Sequence, residues 1–139
     1  MKSGKFWMAV VAAGVVANVV DFLLHGMVLQ NMYYAKITDL FIQGGNPTFF
    51  VIGDFVAMLV LAFVYDKVSG SFEKGWKGGA LFGAYAGVLI TFPGAIFYHL
   101  MFKGFPYALS WIWIVTGIAA YAINGAVFAA VYKKGEGTA

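Results

Sequence analysis

Four stretches of this chain, residues 6–29, 47–65, 76–101 and 107–132, are apolar at nearly every position, and none carries more than one Asp, Glu or Lys. Each is about 20 residues long or longer, and at about 1.5 Å per residue a helix of that length crosses a hydrocarbon core about 30 Å thick. A lipid-facing β-barrel needs polar and apolar residues in alternation. These runs are apolar at consecutive positions, so helices are the spanning structure that remains. Of the 139 residues 62% are apolar and 11% charged, with a mean hydropathy of +0.82, which leaves no length for a separate soluble domain. The expected fold is all-α, an integral membrane four-helix bundle forming one domain over residues 1–139. Short connections make sequential helices antiparallel neighbours, so the bundle should run up and down with its first and third spans diagonal.

Lysine supplies all nine positive charges, and its placement predicts orientation. Lys2 and Lys5 precede the first run, Lys67, Lys74 and Lys77 lie around the connection from second to third, and Lys133 and Lys134 follow the fourth. Only Lys36 and Lys103 fall in the other two loops, and seven against two predicts that both termini are cytoplasmic. The net charge of +3 is therefore a topology signal. No basic face with aromatic or polar readers exists for nucleic acid, and the expected partner is the lipid bilayer. The absence of cysteine excludes disulfides, thiolate metal sites and thiol–disulfide chemistry. The first apolar run continues through Leu29, too long for a secretory signal core, so the first helix is expected to be retained.

The connections carry their own signals. In the stretch after the first run, Tyr33, Ile37, Leu40 and Phe41 recur at helical spacing, which predicts a short helix lying flat on the outer surface as a lid. Gly44 and Gly45 then break the chain, and "NPT" reads as Asn46 capping a helix that begins at Pro47. "DKVSGSFEKGWKGG" reads as a polar turn. In the third run Gly75, Gly79, Gly83 and Gly87 recur every four residues, a stripe that lets another helix backbone approach closely, whether within the chain or in a second copy. Pro93 should kink that helix and free a carbonyl near residue 89. Tryptophans and tyrosines near run ends, among them Trp7, Trp76, Trp111, Trp113, Tyr107 and Tyr132, suit interfacial belts.

Within the first run Gly14, Asn18, Asp21 and His25 advance by four, three and four residues and so share one seam. A carboxylate at bilayer depth costs at least about 2.5–3.5 kcal/mol, so this seam should face the bundle interior or a wet cavity. Counted along the helices, Asp21 and Asp54 each lie roughly 20 Å from the cytoplasmic side, hence level. Asp21, His25, Asp54 and His99 are the residues expected to converge in the outer half of the bundle. Three readings compete for them. One is structural: a carboxyl pair or Asp–His bond that locks helix register, with Asn18, Thr91 and Asn124 as further interhelical bonds. The second is a polar site that binds a small ligand or ion or relays protons. The third is a metal site with Asp21, His25, Asp54 and His99 as donors, or haem with His25 and His99 as opposed axial ligands. No nucleophile elbow, phosphate loop or H-E-x-x-H sequence is present, so a non-enzymatic role is expected.

The segments "DFLLHG", "NMYYA", "GWKGGALFGAYAG" and "GAVFAAVYKK" together resemble a family of small, uncharacterised bacterial four-span inner-membrane proteins with a DFLLHG-type first-helix motif. The resemblance implies a bacterial inner membrane and singles out Asp21 and His25, and it implies no chemistry. The sequence reading is thus a small multi-pass membrane subunit or homo-oligomer, built on the glycine stripe, with a polar interior site. A metal- or haem-dependent redox protein is the alternative.

Overall fold

A computed structural model describes residues 2–40 and 46–133, and those residues form four helices long and apolar enough to cross a membrane. The first span covers Gly4–Lys36, the second Thr48–Ser71, the third Trp76–Met101 and the fourth Tyr107–Tyr132. They run up and down, so residues 3 and 133 lie at one end, called here the terminal end. The long loop after the first span and the turn around Gly104 lie at the other, the loop end. Large apolar side chains cover the outside: Phe49, Phe50 and Leu89 are each 76% exposed, which suits hydrocarbon and not water.

Local chemistry sets the helix ends. Ser3 accepts the backbone N–H of Phe6 at 3.3 Å and so caps the first helix. Asn46 accepts the N–H of Thr48 at 3.0 Å, so the second helix begins at Thr48 with Pro47 in the capping position, one residue later than the sequence pattern predicts. Gly75, at φ 84°, and Gly104, at φ 83°, take backbone conformations closed to most L-residues, each next to a helix end. The fourth helix stops where Lys133 turns left-handed at φ 42°.

Two expectations for the connections change. The stretch expected to form a separate surface helix instead prolongs the first span. A π-helix over Phe22–Val28 leads into one α-turn, Leu29–Met32, and a 3-10 turn, Tyr34–Lys36. The reason is burial: Leu29 and Tyr34 pack with Leu109, and Tyr33 and Ile37 sit against that cluster. Phe41, Gly44 and Gly45 lie outside the described residues. At the other end, Asp66 and Lys67 belong to the second helix, which runs to Val68, and not to the turn. Asp66 stays helical because it is buried and partnered there. It takes an ion pair from Lys2, and the Tyr132 hydroxyl donates to its Oδ1 at 2.5 Å. Tyr132 is thereby a clasp between the second and fourth spans as well as a residue at a helix end.

The tightest pair is the hairpin of third and fourth spans, and the glycine stripe is its seam. A Cβ at Gly79 would strike the Gly125 carbonyl, one at Gly83 the Tyr121 carbonyl, and one at Gly87 would come 2.7 Å from Ile118 Cα. Gly125 reciprocates against Gly79. The stripe face is thus covered inside the chain, which corrects the expectation of an oligomer built on it. Gly75 is not part of the seam, since it caps the helix and has open space around its Cα. The first span packs against both the fourth and the second, whereas second and third scarcely touch. Near the terminal end an aromatic core around Phe6, Phe82 and Phe128 fills the bundle. Toward the loop end the same four helices diverge around a cavity.

Candidate functional site

The cavity has a volume of about 320 Å³ and is lined by all four spans. The first contributes Ala17, Asp21 and His25; the second Asp54, Ala57 and Met58. Small residues on the third and fourth spans, among them Gly94, Ala95, Gly117 and Ala120, make the space. Because the second and third spans hardly meet, no helix seam closes the cavity on that side.

Asp21 reaches it from the last α-turn of the first helix, and His25 from the π-helix that follows. A π-helix winds more loosely than an α-helix and is found mostly where function demands it. Here it keeps both side chains, four residues apart, on one cavity wall. Asp54 comes from the middle of the second span and lines the same cavity as Asp21. His25 lies four residues beyond Asp21 along the same cavity wall.

Tyr34 and Trp113 complete this group, and sequence reasoning gave neither that role. The Trp113 indole N–H donates to the Tyr34 hydroxyl at 2.8 Å, and that hydroxyl is 2.7 Å from His25 Nδ1. An indole only donates, so the hydroxyl accepts from Trp113 and has its own proton to offer to Nδ1. The His25 and Tyr34 rings are nearly parallel, 8° apart with centroids at 6.1 Å, and Trp113 stands edge-on to both. Trp113 is therefore a wall and anchor of the cavity and does not belong to an interfacial belt. Its depth, six residues inside the fourth span, was the available signal. For Tyr34 there was none, because its partner Trp113 lies 79 residues away along the chain.

Other expected site residues stand apart. Asn18 does not line the cavity; its amide donates to the carbonyl of Gly14, 2.9 Å away on its own helix. Thr91 lines it, yet its hydroxyl donates to Gly87 of its own helix at 2.7 Å and only distantly, at 3.5 Å, to Ile114 across the hairpin. Asn124 is 5% exposed, and its side-chain oxygen has no hydrogen-bond partner. Thr91 thus makes one long bond across the hairpin, while Asn18 bonds its own helix, as short polar side chains on helices readily do. His99 sits near the end of the third span with its ring edge-on to Tyr107 at 4.9 Å, away from the cavity lining. No group of three or more His, Asp or Glu able to hold a metal ion occurs among the described residues. His99 does not line the cavity that His25 lines.

What remains is a half-polar chamber in the loop half of the bundle. Asp21 and Asp54 sit at its waist, with the linked His25, Tyr34 and Trp113 above and apolar walls around. No protein-family model, curated protein or solved structure matches the chain.

Proposed function

We propose that this chain is a small, non-enzymatic multi-pass membrane protein that holds a small ligand in the chamber around Asp21, His25 and Asp54. The observation that carries this is the meeting of those three side chains, from two helices, on one cavity of about 320 Å³. Ligand sites are typically concave and mostly apolar, of about 300–1,000 Å³, with a few converging polar groups. A register lock would need the carboxyl pair but not the space. A proton relay fits less well, because between the chamber and the terminal end lies an apolar, aromatic core around Phe6, Phe82 and Phe128 with only about 20 Å³ of free space. The metal reading has less support, because no group of three or more His, Asp or Glu able to hold a metal ion occurs among the described residues.

The lysine distribution supports an orientation with both termini cytoplasmic, and the resemblance read in the sequence supports a bacterial inner membrane. With the glycine stripe covered, association as a homo-oligomer or as a subunit of a membrane complex would use another face. The flank between second and third spans is the one that lacks an internal partner.

The test is a comparison of small molecules that remain bound to the wild-type chain and to Asp21→Asn after extraction in mild detergent, read by mass spectrometry. Asparagine keeps the shape and a hydrogen-bonding group, so the variant should fold and lose the bound species. Equal recovery from both chains, or none from the wild type, counts against the proposal.

A further inference from the structure

The chamber described above, taken as a ligand site, also carries information on what enters it. Its acidic groups outnumber its basic ones. Asp21 and Asp54 present carboxyl oxygens, and Asn124 lines the same cavity with a side-chain oxygen that is buried and unpartnered. No lysine lines the cavity, and the His25 Nδ1 is engaged by Tyr34. Two carboxyl groups line one cavity at bilayer depth, and a carboxylate held there calls for a cation. Tyr98, Trp113 and Tyr121 supply aromatic walls, which favour an organic cation over a bare ion. The volume, about 320 Å³, also far exceeds what one ion needs.

We infer that the ligand is a small organic amine with an apolar body, its ammonium group held between Asp21 and Asp54 and a second hydrogen-bond donor reaching Asn124. Along the helices Asn124 lies two to three turns nearer the terminal end than the carboxyl pair, on the order of 10 Å, so the two donors are separated by a chain of about six carbons. The molecule arrives from the bilayer, through the flank where the second and third spans do not close. Its apolar body dissolves in lipid, and only its ends require the protein.

The test uses the whole chain in lipid nanodiscs and four probes of equal carbon number: hexylamine, aminohexanol, hexanol and hexanoate. Hexanol and hexanoate report non-specific partition into the bilayer. A saturable rise in melting temperature is expected for both amines, larger for aminohexanol, and absent for the other two. Asp54→Asn should weaken amine binding by at least about tenfold, the loss of one charge-assisted contact. Asn124→Leu should remove the advantage of aminohexanol over hexylamine and leave hexylamine unchanged. If hexanol raises the melting temperature as much as hexylamine, the cation assignment fails while the ligand site stands. If none of the probes acts, the ligand reading fails with it. Should either variant not fold, the ranking of the four probes on the wild-type chain still decides.

Discussion

At the scale of single residues, the hydroxyl of Tyr34 has the most to explain. It ties the end of the first span to the fourth span through Trp113 and to the cavity through His25. Tyr34→Phe keeps the ring and removes the hydroxyl, which takes one partner from each of two part-buried groups. The expected cost is about 1–3 kcal/mol, read as a lower melting temperature in detergent, together with a shift of the Trp113 indole resonance. An unchanged stability would show that the loop segment, not the hydroxyl, holds this end. Asp66 plays the matching part at the terminal end, where it binds both Lys2 and Tyr132. Lys2 also lies over the rings of Phe6 and Phe63, at 5.1 and 5.6 Å, so its charge has two uses. A double-mutant cycle of Lys2→Ala with Asp66→Asn should be non-additive by about 0.5–3 kcal/mol, since the two groups touch. Additive effects would mean that the ion pair contributes nothing to the fold.

At the scale of elements, the third and fourth helices form the rigid half of the molecule because glycine removes the side chains that would hold them apart. Without a hydrophobic drive between helices in lipid, close backbone contact is what keeps such a pair together. Gly83→Ala places a methyl group against the Tyr121 carbonyl and should cost about 1–3 kcal/mol of stability. Gly53, on the second helix, has open space where a Cβ would lie, so Gly53→Ala should be neutral or stabilise by about 0.5–1 kcal/mol. Thermal unfolding of the two variants side by side checks the contrast, and equal effects would remove the seam from the account. The π-helix is the counterpart in the first span. It loosens the helix where His25 must face the chamber, and no periodicity in "FLLHGMV" announces it.

At the scale of the whole molecule, one end of the bundle is packed more tightly, with about 20 Å³ of free space, than the other, with about 320 Å³. Aromatic rings from the first, second, third and fourth spans interlock around Phe6, Tyr65, Phe82 and Phe128 at the terminal end. Toward the loop end small residues leave the chamber, and the second and third spans stay apart. Orientation in the membrane is tested by single cysteines, which the cysteine-free chain permits without background. Lys36→Cys and Lys103→Cys should react with an impermeant thiol reagent added to intact cells, and Lys74→Cys should not. Labelling of Lys74→Cys alone would reverse the orientation.

The sequence by itself determined the membrane class, the four spans and the limits of the last two, 76–101 and 107–132, because hydropathy, helix rise and helix caps are local properties read along one dimension. It also made Asp21 and Asp54 level, and both line one cavity, since depth in a straight span follows from counting residues. Tertiary structure alone decided who faces whom. That the glycine stripe meets the fourth helix, that Tyr34 folds back onto His25, that Asn124 is left without a partner, and that second and third spans part company all depend on the rotation and register of one helix against another. Those are set by the sum of contacts across the whole bundle, and no window of the chain contains that sum.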